Sequence, residues 1–200
     1  MDKSNDITSL KNTYFILRHG ESEANAARLI TSDPAQCITR FGLTDRGRQQ
    51  VTATIQKAKL QGWLDAETII YCSDFKRTVE TAQLARQTLH AGAIRLSPAL
   101  RERFFGALDG KQTTEYVEIW PQDQHDEQVQ KRSGVETAEA TAGRLTKFVK
   151  DLEAQYRGKR LLLVSHGDPL QVLQAAFAGL EPEQSRALTY IKPAEIRRLT

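Results

Sequence analysis

Leu161-Leu162-Leu163-Val164 reads as the most strongly buried strand in the chain, and it constrains the fold more than any other feature. Four apolar residues without alternation read as a strand buried on both faces, which is the position of an interior strand in a parallel sheet. The run ends at Ser165-His166-Gly167, and Pro169 then opens a helix expected to reach Ala178. A second run, Tyr14-Phe15-Ile16-Leu17, ends in the same manner at Arg18-His19-Gly20. Glu21 to Arg28 follows as a helix start, acidic and hydroxyl-rich in its first turn. Two histidines, each followed by glycine, therefore stand where a strand hands over to a helix. Ligands of open α/β sheets gather at the carboxyl ends of the strands, and helix N-termini favour anions. An imidazole beside an arginine at that place points to phosphate chemistry.

The intervening chain continues the alternation. Thr44 caps a helix running to about Gln61, and Glu67 to Cys72 is a strand followed by a helix to about Thr88. Ile94-Arg95-Leu96 is a short strand, Glu136 to about Tyr156 a long helix, and Ala194 to Leu199 a final edge strand. Strand and helix in repeated succession predict an α/β fold, a three-layer αβα sandwich with a mainly parallel central sheet. All 200 residues fit a single domain. One stretch breaks the pattern. Residues 109–133 are polar and irregular, with Trp120-Pro121 in the middle, and read as a lid-like insertion over the carboxyl edge of the sheet.

Composition narrows the function classes. The 28 basic and 25 acidic residues are interspersed with no basic block, which argues against nucleic acid. No stretch approaches the apolar length of a membrane span, and the polar start of the chain is followed by no signal-like apolar core. Cys37 and Cys72 lack metal-like spacing, so reduced thiols in a cytoplasmic protein are expected, with no metal and no cofactor.

A third strand end supplies Ser73-Asp74 with Arg77 one turn into the next helix, and the turn after the short strand supplies Leu100-Arg101-Glu102-Arg103. Parallel topology brings these ends together, so Arg18, His19, Arg77, Glu102 and His166 converge on one phosphate. Each also has an ordinary reading. Arg77 can pair with Glu80 on its own helix, Glu102 can be a surface carboxylate held by Arg101 or Arg103, and Asp168 can cap its helix or tune His166. His90 and His125 have no such context and are ordinary histidines.

The chain resembles the histidine phosphatase superfamily, in its phosphoglycerate mutase-like branch, from Tyr14 to Leu199. The resemblance rests on Arg18-His19-Gly20-Glu21-Ser22 with Asn25, on Leu43-Thr44-Asp45-Arg46-Gly47, and on Ser73-Asp74 with Arg77-Thr78. It continues through Leu100-Arg101-Glu102 with Gly106 and Asp109-Gly110, then Gly134-Val135-Glu136-Thr137 and Val164-Ser165-His166-Gly167, in the family's order. It implies metal-independent hydrolysis of a phosphate monoester: His19 as nucleophile, Arg18 and Arg77 as phosphoryl clamps, Glu102 as general acid, and His166, cationic when phosphate is bound, as a further donor. Asn25, Ser22 and Gly167 are expected around the phosphoryl group. Arg103 and Lys111, with Arg28 and Lys131, are candidates for a second anionic group or solvated surface charges.

Phe105 stands where sugar-phosphate members often carry tyrosine, and the insertion has one proline and only Lys131-Arg132 as paired cations. Both features favour a phosphatase with a more apolar pocket over a cofactor-dependent phosphoglycerate mutase. A catalytically idle phosphate- or phosphopeptide-binding module is the alternative from another class. The expected partner is a phosphorylated small molecule, and the chain is expected to be a monomer or homodimer.

Overall fold

A computed structural model of the chain describes residues 10–118 and 134–200. Among the described residues five strands form one sheet: β1 (Thr13–Arg18), β2 (Ile69–Cys72), β3 (Arg95–Leu96), β4 (Arg160–Ser165) and β5 (Ile196–Arg198). Their order is β3-β2-β4-β1-β5. β4 lies between β1 and β2 and is parallel to both, with Arg18 opposite Ser165 and Cys72 opposite Val164. That register aligns the three carboxyl ends at one edge. β5 returns antiparallel along β1, as the sequence suggested for an edge strand. The short β3 is solvent-exposed at the other edge, which limits unwanted pairing.

The unbroken apolar run in β4 serves two cores at once. Successive strand residues face opposite sides. Leu162 and Val164 join Phe15, Leu17, Ile70 and Cys72 against Val51 and Ile55 of α3 (Asp45–Leu60) and Ala82 and Ala85 of α4 (Lys76–Leu89). Leu161 and Leu163 join Tyr14 and Ile16 against Leu145 and Val149 of α5 (Ala138–Gln155) and Leu170 and Leu173 of α6 (Gly167–Phe177). Each fully buried leucine contributes about 1.5–3 kcal/mol. These clusters on the two faces are the physical content of the three layers. α1 (Glu23–Ala26) and α2 (Pro34–Cys37) are single turns between β1 and α3.

Helix starts follow their caps. The Thr44 Oγ1 accepts the Gly47 N–H at 3.0 Å, and the Thr137 Oγ1 accepts that of Ala140 at 2.9 Å. Two expectations change. The helix expected over 21–28 is only the single turn α1, because Ser22 and Asn25 close a capping box and Arg28 takes a positive φ of 55°. The helix expected at Pro169 begins at Gly167 with His166 as N-cap, and Pro169 is accommodated in the first turn where its missing N–H costs nothing.

Of the expected insertion over 109–133, residues 109–118 are described, and the rest, including Trp120, His125 and Lys131, lies outside the described residues. The described part is pinned to the segment after α1. The Gly110 N–H donates to the Ile30 carbonyl at 2.8 Å, the Ile30 N–H to Lys111 at 2.8 Å, and the Thr113 N–H to Arg28 at 2.8 Å. No helix among the described residues is long and apolar enough to cross a membrane.

Candidate functional site

The carboxyl end of β1 is held in the sheet beyond the last ladder residue. The His19 N–H donates to the Ser165 carbonyl at 3.1 Å, and the His19 carbonyl accepts from Ala194 at 3.0 Å. The chain then passes against the first turns of α3. A Cβ on Gly20 would stand 2.5 Å from the Gly47 carbonyl oxygen and 2.8 Å from Val51, so only glycine permits the approach. The Glu21 carbonyl accepts the Thr44 N–H at 3.0 Å, joining the turn to the helix cap.

His19 is 2% exposed. Its Nδ1 lies 2.7 Å from the Gly20 carbonyl, which can only accept, so Nδ1 carries the proton and Nε2 presents a lone pair. Burial, then the charges of Arg77 and Arg18, hold the imidazole's pKa well below its usual value. The ring is neutral and nucleophilic at physiological pH.

Two arginines flank it. The Arg18 Nη1 donates to the Tyr190 hydroxyl at 2.5 Å and the Ile191 carbonyl at 2.9 Å, while the buried Nε has no partner. Arg77 does not pair with Glu80, which is occupied by Arg48 and the Leu43 N–H. Its Nε donates to the His166 Nδ1 at 3.1 Å, its Nη1 to the Thr31 Oγ1 at 3.2 Å and its Nη2 to the Thr31 carbonyl at 2.9 Å. A guanidinium carries five N–H groups, so each arginine keeps donors for an anion.

His166 stands behind the nucleophile. It is wholly buried, and its ring centroid lies 5.2 Å from that of His19. Because Arg77 can only donate, the His166 Nδ1 is unprotonated and its Nε2–H faces the Ser73 Oγ at 3.0 Å. Burial and Arg77 lower its pKa well below the usual value. As arranged it is a neutral acceptor that orients Arg77, and its expected cationic form is a property of the phosphate-bound state.

Glu102 lines the same cavity and accepts the Arg103 N–H at 3.0 Å. Burial and the neighbouring Asp168 carboxylate raise its pKa to about 7. It is therefore substantially protonated near neutrality without any bound anion. Asp168 does neither of the things its position suggested. It is not the cap of α6, and its carboxylate is held by Arg186 at 2.9 and 2.6 Å, with Arg103 at 3.6 Å. Burial raises its pKa, but Arg186 and Arg103 outweigh burial and keep it below the usual value.

Arg18, His19, Arg77, Glu102 and Asp168 open on a cavity of about 740 Å³, a size that admits a small metabolite, while the buried His166 does not line it. Arg18, His19, Ser22, Asn25, Arg77, Glu102 and Gly167 all line it. Arg103 and Lys111 do not. Arg103 is 0% exposed and turned to Asp168 and the Glu136 carbonyl, so the reading of it as a second anion contact is corrected. Lys111 is exposed outside the cavity, and its backbone bonds with Ile30 and Leu108. Phe105 is not a pocket wall either. It packs with Ile30, Leu108 and Val135.

Sequence reasoning missed Leu29, Thr31, Thr113, Gln171, Arg186, Leu188 and Tyr190, all at the cavity. Only Gln171 had a signal, since it shares a helix face with Gly167 four residues earlier. Among the described residues, no three His, Cys, Asp or Glu side chains come together as a metal site.

Comparison with known proteins agrees with this geometry. The family profile of the histidine phosphatase superfamily (branch 1) matches residues 14–200. A 2,3-bisphosphoglycerate-dependent phosphoglycerate mutase of Parvibaculum lavamentivorans is 31% identical, over 94% of this chain and 90% of its own. A metal-independent phosphoserine phosphatase of Arabidopsis thaliana is 27% identical, over 82% of this chain and 70% of its own. The solved structure of Bacillus stearothermophilus YhfR shares the fold with a TM-score of 0.76, covering 94% of this chain and 90% of its own at 24% identity.

Proposed function

The chain belongs to branch 1 of the histidine phosphatase superfamily, and on that premise we propose that it is a metal-independent phosphatase acting on a small phosphorylated metabolite through a phosphohistidine at His19. One observation carries the reading: a neutral imidazole with a directed Nε2 lone pair stands between two arginines and shares its cavity with a carboxyl protonated near pH 7. In the first step the His19 Nε2 forms a bond to phosphorus as the ester P–O bond breaks. The departing alkoxide takes the Glu102 proton. Arg18 and Arg77 hold the phosphoryl oxygens in the water-poor site, where fixed donors do most of the catalysis. In the second step the Glu102 carboxylate takes a proton from water, the hydroxide attacks phosphorus, and the P–N bond breaks to release phosphate and neutral His19.

Hydrolysis rather than mutase chemistry is favoured because, among the described residues, neither Arg103 nor Lys111 reaches the cavity, and Arg186, which does line it, is engaged by the Asp168 carboxylate. The mutase relative supports isomerisation of a phosphoglycerate as the second reading. p-Nitrophenyl phosphate turnover in EDTA is the test, run beside His19→Ala and a phosphoglycerate isomerisation assay. Turnover in EDTA, acid-labile phosphate on the protein, and a folded but inactive His19→Ala are expected. Substantial activity in His19→Ala would falsify the assignment, and isomerisation outrunning phosphate release would establish the second reading.

A further inference from the structure

We propose that the Tyr190 hydroxyl donates a hydrogen bond to the transferring phosphoryl group, beside the Arg18 guanidinium. The inference rests on the phosphatase reading and adds a catalytic residue to it. The donor follows from how Arg18 is held. Its Nη1 gives one hydrogen to the Tyr190 Oη at 2.5 Å and the other to the Ile191 carbonyl at 2.9 Å. A guanidinium can only donate, so Tyr190 is the acceptor in this bond and keeps its own O–H. The hydroxyl makes no other hydrogen bond among the described residues, so that O–H has no acceptor there. Receiving a hydrogen bond from a cation polarises the O–H and strengthens it as a donor.

Geometry puts the hydroxyl at the phosphoryl site. A Cβ on Gly167 would stand 3.2 Å from the Tyr190 Oη and 3.5 Å from the Arg18 Cζ, so hydroxyl, guanidinium and the start of α6 meet at one wall. All three residues line the cavity, and the free N–H groups at the start of a helix favour an anion there. The Arg18 Cζ lies 5.0 Å from the Tyr190 ring centroid, so the half-exposed ring covers the cation. The residue is also fixed from behind. Arg197 of β5 donates its Nη1 to the Thr189 carbonyl at 2.8 Å and its Nη2 to that of Tyr190 at 2.9 Å. Burial raises the phenol's pKa against the opposing charge of Arg18, so the hydroxyl keeps its proton. Charge spreads over the phosphoryl oxygens in the transition state, and a fixed donor at that wall stabilises it.

Tyr190→Phe removes the donor and leaves the ring over Arg18. It is expected to lower kcat/KM by about tenfold or more, the scale of a hydrogen bond to a charged group. The loss should be the same for p-nitrophenyl phosphate and propyl phosphate, because both present the same phosphoryl oxygens. Vanadate, which mimics the transferring group, should bind more weakly by a similar factor. Vanadate calorimetry on Arg18→Ala, with and without Tyr190→Phe, separates direct contact from mere support of Arg18. A hydroxyl that touches the anion still costs several-fold when the guanidinium is gone. A Tyr190→Phe enzyme with unchanged kcat/KM and vanadate affinity overturns the inference and leaves the phosphatase reading intact. So does a loss confined to one of the two esters, and so does a loss that vanishes in the Arg18→Ala background. Failure of the wild type to hydrolyse even p-nitrophenyl phosphate overturns both.

Discussion

Gly47→Ala sets two physical effects of opposite sign against each other. Gly47 is the third residue of α3, with helical backbone, and glycine in a helix is less favourable than alanine by about 0.5–1 kcal/mol. Propensity alone therefore predicts a stabilised protein. The geometry predicts the reverse. A Cβ there would land on the Glu21 carbonyl oxygen and stand 2.9 Å from both the Glu21 carbonyl carbon and its nitrogen. Ordinary contacts to a Cβ are about 3.4–4.0 Å, and the overlap with the carbonyl oxygen governs, so the two backbones must part by more than about 1 Å. Overpacking of this kind costs about 1–3 kcal/mol, which leaves a net loss of roughly 0.5–2 kcal/mol after the propensity gain. For a chain of this size that lowers Tm by a few degrees, about 2–4 °C per kcal/mol. Glu21 lies two residues from His19, and its neighbour Gly20 holds the His19 Nδ1–H. A displacement near 1 Å costs on the order of a hundredfold in rate, so kcat should fall far more than stability does. Thermal unfolding and p-nitrophenyl phosphate kinetics on one preparation measure both. A Gly47→Ala protein with unchanged or higher Tm and unchanged kcat would refute the reasoning.

Glu102→Gln should slow phosphohistidine formation, read as kcat/KM, from alkyl phosphate esters by about 10²–10⁴ while sparing that from p-nitrophenyl phosphate, whose nitrophenolate leaves unprotonated. The kcat should fall for both because the second step also uses Glu102; equal losses in kcat/KM would contradict the general-acid role. Asp168→Asn removes the carboxylate that, after burial, does most to hold Glu102 up at about 7, so the falling limb of the pH–rate profile for alkyl esters should move to lower pH. A limb that stays in place would show that burial alone sets it. Because Glu102 titrates higher folded than its ordinary 4.5, its contribution to stability is full below that value and is lost as pH rises through about 7. Urea unfolding at pH 5 and pH 8 should therefore show a larger drop for the wild type than for Glu102→Gln.

The features legible in the sequence were those written in local pattern. The runs Tyr14–Leu17 and Leu161–Val164 reach strand centres because no alternation survives where both faces are buried. Arg18, His19, Arg77, Glu102 and Gly167 meet because parallel register aligns strand ends regardless of separation. Arg103 was misread because adjacency to Glu102 says nothing about direction: an extended segment sends neighbouring side chains to opposite sides, and Arg103 goes behind the wall to Asp168. The protonation of His166 depends on one arginine nitrogen, which no spacing reveals. Tyr190 and Leu188 come from an irregular segment placed by its end attachments, and such segments carry no periodicity to read.

The position of β1 bears on when the protein becomes competent as it is made. β1 leaves the ribosome before the other strands of this sheet, yet both its neighbours, β4 and β5, come from residues 160–198. The partners of the Arg18 guanidinium, Tyr190 and Ile191, arrive later than β4 itself. A nascent chain can assemble α3 and α4 from local contacts, but its nucleophile strand has no sheet to join until almost all of this sequence has emerged. Folding of this domain is thus committed to sequence-distant pairing, which is slow relative to helix formation. The apolar Tyr14–Leu17 segment lacks both sheet neighbours throughout that interval, which makes it a segment open to mispairing.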